Sequence, residues 1–259
     1  TGNIDLSVGK LAGFVSVVVA YFQASIWTKV IPEQAILAAT LSVFIGLAVG
    51  ALWGVVQGWV ISYLNVPSFI VTLGMLQAAR GLTVIYSKGF PVMMPPSVVW
   101  MGGWPGIFIV ALVAFAIVFV LYNFTKIGEF TRAIGGDETV ARLSGTPVRK
   151  YKIIPFVISG SLAGLGGFMM AARLGMASPT IGVGYELDVI ASVVLGGTPL
   201  TGGTGNIYGT IIGAVIMSTI GNGLVILGVP SEWQLVVKGI ILIVAVFVSF
   251  ERDKIGNIK

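Results

Sequence analysis

Lys126–Lys152 reads KIGEFTRAIGGDETVARLSGTPVRKYK, the one long polar stretch in an otherwise apolar chain. Six of the 15 Lys and Arg lie in it: Lys126, Arg132, Arg142, Arg149, Lys150 and Lys152. Apolar runs of about 20 residues, the length that crosses a bilayer, stand on both sides. A basic loop between such runs belongs on the cytoplasmic face. This stretch therefore orients the chain.

Composition sets the class. The chain has 259 residues, 56% hydrophobic and 10% charged, with mean hydropathy +0.99. A soluble domain carries about 25% charged residues, so this is an all-α polytopic membrane protein. Outer-membrane barrels alternate polar and apolar residues along each strand, whereas these runs are continuously apolar. The 36 glycines suit close helix packing in lipid. The net charge of +5 follows from basic cytoplasmic loops and does not imply nucleic acid. There is no Cys, hence no disulfide or thiol chemistry, and no His. The ten acids are scattered and form no metal-ligand cluster. The chain begins at Thr1 without Met or a charged leader, so further residues are expected before it.

Eight spans are expected: Leu6–Ala24, Gln34–Leu64, Ser68–Ser87, Ile107–Phe124, Ile153–Leu174, Glu186–Leu200, Ile207–Leu227 and Trp233–Phe250. The second is long enough to tilt or kink. The sixth is short and flanked by glycines, so it reads as broken or re-entrant. Four spans on each side of the basic loop put both ends on the cytoplasmic side, in agreement with the charged tail Glu251-Arg252-Asp253-Lys254 to Lys259. The loops around Lys29–Glu33, Lys88–Trp104 and Ala177–Gly184 then face outward.

An internal repeat is visible. Gly46, Gly50, Ala51, Gly58, Val66, Pro67 and Ser68 recur at one offset as Gly209, Gly213, Ala214, Gly221, Val229, Pro230 and Ser231. Each copy is a G-x-x-x-G-A helix leading through Val-Pro-Ser into another span. On the topology above the copies run in opposite directions, an inverted repeat of the kind transporters use. The halves are about 1–125 and 153–259, within one permease domain, with the loop 126–152 between them. Gly46/Gly50 and Gly209/Gly213 set small residues on one helix face for close contact.

Several residues carry chemistry. Asp5 and Ser7, in TGNIDLSVG (1–9), sit where a solvated N-cap would, or where a broken helix would line a cavity. Glu186 and Asp188 either cap and anchor at the interface or line the outer mouth. The nearby Gly196-Gly197 and Gly202-Gly203 do not make a G-x-x-x-x-G-K-[ST] phosphate loop, so no ATP site is expected here. Arg80, Arg173 and Lys238 are expected to snorkel. Asn222 and Gln57 are mid-span polar groups suited to interhelical hydrogen bonds. Phe69, Thr72 and Gln77 could line a path or pack. Within the basic loop, Gly135-Gly136 breaks the chain and Asp137 caps a short helix, Glu138 to Ser144. Gly145, Thr146 and Pro147 stop it. Composition leaves two readings open: a positive-inside connector, or a coupling helix seated in a soluble partner's groove.

AIGGDETVARLSGTPVRKYK (133–152) and GYELDVIASVVLGGTPLTGGTGNIYGTIIGA (184–214) resemble the ribose-type permeases of bacterial ABC importers. TGNIDLSVG (1–9) and NVPSFIVTLGMLQAARGLTVIYS (65–87) fit the same family. The resemblance covers nearly the whole chain. It implies a type II importer-like permease for a monosaccharide in the bacterial inner membrane, working by alternating access. The implied partners are a second permease subunit, identical or paralogous, two ATP-binding subunits, and a periplasmic sugar-binding protein. The chain itself would hold no cofactor, ATP and Mg belonging to the partner. Gly135, Gly136, Asp137, Glu138, Ala141, Arg142 and Gly145 match the family's coupling loop. Asp5, Ser7, Phe69, Thr72, Gln77, Glu186, Asp188 and Asn222 are the candidates for the translocation path. Two departures stand out. The family has about two further spans before the TGNIDLSVG position, and the stretch from Phe90 to Gly106 is shorter than usual. A nucleoside, polyol or sugar-like signal is the alternative cargo. An ion-coupled secondary transporter would need titratable groups at mid-membrane, and a membrane enzyme would need a constellation that these acids do not make.

Overall fold

The computed structural model describes residues 1–31 and 34–256. Pro32 and Glu33 of the first expected outer loop, and the side chains of the charged tail from Glu251 onward, lie outside the described residues.

The chain opens with α1 (Val8–Phe22), prolonged by a π-helical turn (Gln23–Trp27) and α2 (Thr28–Val30). There follow α3 (Ala35–Tyr63), α4 (Ser68–Ser87), the short strand β1 (Val92–Met93), α5 (Pro96–Val99) and α6 (Gly106–Phe124). The basic stretch forms α7 (Lys126–Gly136) and α8 (Glu138–Leu143). Then come α9 (Val148–Leu174), β2 (Met176–Ala177), α10 (Tyr185–Leu195), α11 (Ile207–Ile226) and α12 (Ser231–Gly256). Among the described residues seven helical stretches are long and apolar enough to cross a membrane. The sixth expected span, Glu186–Leu200, holds α10, a helix of only 11 residues. At 1.5 Å per residue it is about 16 Å long, half the hydrocarbon thickness. The glycines that bracket it stop the helix early: Gly184 precedes it at φ +78°, and Gly196 and Gly197 follow.

The described residues form two compact units that interleave along the chain. The larger comprises Asp5–Glu129 and Pro147–Val183. Its centre is the antiparallel pair α3/α9. Gly46 faces Gly164, Gly50 faces Gly160, Gly54 faces Phe156 and Gly58 faces Ile153. A Cβ on Gly50 would overlap the Gly160 carbonyl, and one on Gly160 would overlap that of Gly50. Backbones approach this closely only where side chains are missing, which is how helices gain van der Waals contact in lipid. Helix α1 packs on α9, α4 and α3, and is buried along most of its length. Phe14 reaches from it to the rings of Trp53 and Tyr86, at 5.7 and 6.0 Å. Helix α6 has no buried residue, as a lipid-facing helix should. β1 and β2 pair antiparallel, Val92 with Ala177 and Met93 with Met176, tying two of the expected outer loops together.

The smaller unit comprises Thr1–Ile4, Phe130–Thr146 and the chain from Gly184 onward. Here α10 packs on α11 and α12. Gly209 lies on the Gly196 carbonyl and Gly213 on that of Ser192. Both G-x-x-x-G pairs thus serve close helix contact.

Gly50→Ala forces α3 and α9 apart. It should cost about 1–3 kcal/mol, whereas Gly81→Ala, with nothing within 4 Å of its added Cβ, should stay within about 0.5 kcal/mol. Thermal unfolding of both variants in detergent checks the difference.

Candidate functional site

The basic segment builds a short, well-capped helix. Oδ1 of Asp137 accepts from the backbone N–H groups of Thr139 and Val140, at 2.8 and 3.0 Å. These are donors that the first turn of a helix leaves open. Glu138 and Arg142 form an i, i+4 ion pair at 2.7 Å. At the other end the Thr146 N–H donates to the Ala141 carbonyl and the Gly145 N–H to that of Arg142, both 3.0 Å. Gly145 sits at φ +81°. This is a Schellman stop, and the left-handed residue is the glycine it favours. Ala141 faces inward, 4% exposed, while Val140 and Leu143 are 58% and 84% exposed. Helix α8 thus presents apolar residues and an ion pair on an open face. At its base Gly135 lies directly against Gly203.

Asp5 is not the solvated cap that was one reading of the sequence. Its Oδ1 accepts from the backbone N–H and hydroxyl of Ser7, at 2.9 and 2.7 Å. Its Oδ2 accepts from Gln57 Nε2 at 2.8 Å and Ser159 Oγ at 2.9 Å. Ser7 stands at the N-cap of α1, but in helical conformation and with no side-chain cap bond. Its hydroxyl is taken by Asp5, with Gln57 Oε1 also 3.0 Å away. Asp5 is therefore a clasp that fastens the extended segment before α1 to α3 and α9. Charge-assisted bonds of this kind are the strong ones.

Lys238 does not snorkel. Its Nζ meets Asp188 Oδ2 at 2.6 Å, joining α12 to α10, with the two side chains 20% and 24% exposed. Glu186 and Asp188 lie in the first turn of α10, where the helix dipole favours acids. Glu186 Oε2 and Asp188 Oδ1 are buried and have no hydrogen-bond partner among the described residues.

The other candidates stay apart from these clusters. Phe69 and Gln77 are exposed on α4. Thr72 is buried and donates to the Ser68 carbonyl of its own helix. Asn222 is exposed on α11, as Arg80 and Arg173 are on α4 and α9. Sequence reasoning missed Ser159, and it missed Gln23, whose Nε2 donates to the Ala38 carbonyl and to Ser42 Oγ at 3.0 and 2.7 Å. A lone Gln inside an apolar run was the available signal. Among the described residues no group of three or more acids could hold a metal ion.

Glycine-packed membrane helices, a half-length helix headed by acids and a capped helix on a basic segment define a polytopic membrane transport subunit. The chain belongs to the family described as the permease component of branched-chain amino acid transport systems, whose model matches residues 1–246. It is 40% identical to the ribose import permease protein of Escherichia coli K12, over 98% of this chain and 79% of that one. It is 40% identical to the ribose import permease protein of Bacillus subtilis 168, over 98% and 78% of the two chains. With the galactose/methyl galactoside import permease protein of Salmonella typhimurium LT2 it shares 37% identity, over 95% and 78%. No solved structure matches the chain. It is a membrane-spanning permease of the ABC importer class, a transport component whose ATPase is a separate subunit.

Replacing Asp188 by Asn and Lys238 by Met, singly and together, should give a coupling energy of about 0.5–3 kcal/mol in a double-mutant cycle of detergent unfolding. Asp5→Leu, which leaves Gln57 and Ser159 without their acceptor, should cost about 1–3 kcal/mol in the same measurement.

Proposed function

We propose that this permease carries a monosaccharide, a pentose or hexose, across the bacterial inner membrane. The observation that carries this reading is the cargo in the relatives' own names, ribose and galactose or methyl galactoside. In this reading a periplasmic binding protein delivers the sugar, two permease copies form the conduit, and two ATP-binding subunits bind ATP and Mg in the cytoplasm.

Helix α8 is the docking helix for the ATP-binding subunit. Its support is a helix capped at both ends whose apolar residues Val140 and Leu143 are exposed, a surface that a partner's groove can cover. The same reading puts the basic segment and both ends of this chain on the cytoplasmic side. The pairing of β1 with β2 supports a shared outer face for the loops they belong to. Arg149 over the Tyr63 ring, at 5.3 Å, supports a shared inner end for α3 and α9. ATP closure acts on α8, the inverted repeats alternate access, and hydrolysis resets them. The path residues are proposed among Asp5, Ser7, Phe69, Thr72, Gln77, Glu186, Asp188 and Asn222.

Leu143→Asp puts a charge on the docking face without touching either cap. The ATP-binding subunit should then be lost on co-purification, and uptake of labelled monosaccharide should fall at least about tenfold. Uptake in cells should stop on ATP depletion and persist with an uncoupler. Uptake that an uncoupler abolishes would point to ion coupling instead.

A further inference from the structure

The smaller unit contains a joint built from three backbone segments far apart in the chain. Gly135 is the penultimate residue of α7. Its added Cβ would overlap the Gly203 nitrogen and stand 3.2 Å from the Thr1 nitrogen. Gly203, at φ +80°, would set a Cβ 3.0 Å from the Cα and N of Gly136. Its neighbour Gly202, at φ +87°, lies on Gly2, with its added Cβ 2.8 Å from the Gly2 Cα. A Cβ on Gly2 would in turn stand 2.8 Å from the Thr201 carbonyl oxygen. The contact is backbone on backbone on every side. No side chain can change rotamer to absorb a displacement, and packed interiors are nearly incompressible.

A second observation points the same way. The residues Phe130–Thr146 group with the chain from Gly184 onward, not with α6 or α9, their neighbours in sequence. Gly136 and Asp137 alone separate Gly135 from α8. On its far side the Gly202-Gly203 loop connects α10 to α11, and the Lys238–Asp188 ion pair ties α10 to α12.

We infer that Gly2, Gly135, Gly202 and Gly203 form a rigid transmission joint, through which a movement of α8 is delivered whole to α10, α11 and α12. This rests on the reading of α8 as the docking helix. The four glycines are positioning residues: they meet neither nucleotide nor sugar, and act through the helices they hold.

The test uses the assembled importer in proteoliposomes, with its ATP-binding subunits and sugar-loaded binding protein. Gly2→Ala and Gly203→Ala wedge the joint open and leave α8 and the coupling-loop residues unaltered. The ATP-binding subunit should still co-purify and hydrolyse ATP, while sugar moved per ATP falls about tenfold. Gly166→Ala on α9, whose added Cβ meets nothing within 4 Å, should leave that ratio unchanged. Wild-type ratios in both joint variants would overturn the inference. Should neither variant assemble, a cross-link decides. The chain has no Cys of its own, so Gly136→Cys with Thr204→Cys can be joined by a short bifunctional reagent, with each single cysteine as control. A joint that stays closed throughout the cycle transports equally well once joined. Transport arrested by the cross-link would show that the segments separate, and would overturn it. Failure of the docking reading is seen separately, as an ATP-binding subunit that remains on Leu143→Asp.

Discussion

The contact of bare backbone on bare backbone is what the rest of this molecule depends on. Lipid offers no hydrophobic reason for two apolar helices to associate, so close van der Waals approach must supply it. Gly46, Gly50, Gly54 and Gly58 recur every four residues and lay one face of α3 against α9. Gly209 and Gly213 do the same for α11 on α10. Gly135, Gly202 and Gly203 extend the device from helix pairs to loops. One residue type thus packs the interior of each compact unit.

Polar groups follow a second constraint. A buried polar atom in a membrane protein needs a partner within the protein. Asp5 meets it with donors from its own segment, α3 and α9, and Gln23 meets it between α1 and α3. Lys238 and Asp188 meet it as an ion pair. Each of these bonds also fixes the register of the helices it joins, so the polar minority sets geometry that apolar surfaces leave free. Glu186 Oε2 and Asp188 Oδ1 remain without such a partner among the described residues. They mark the head of α10 as a place where carboxylate oxygens leave this constraint unmet, on a helix about half as long as the membrane is thick.

The amino-acid sequence by itself determined the membrane class, the membrane-length helices and the capped helix α8. Each of these depends on properties local to the chain: a run of apolar residues, or an Asp and a Gly placed at the two ends of a single turn-and-a-half of helix. It also exposed the glycine faces of α3 and α11, because residues four apart share one side of a helix. The tertiary structure alone decided what those faces touch. Asp5 finds Ser159 across 154 residues, and Lys238 finds Asp188 across 50. No spacing rule links such positions; only the folded path brings them together. For the same reason Asp5 looked like a cap and Lys238 like a snorkelling side chain. A carboxylate before a helix and a lysine in a span have those roles by default, and only a partner delivered by another helix changes them.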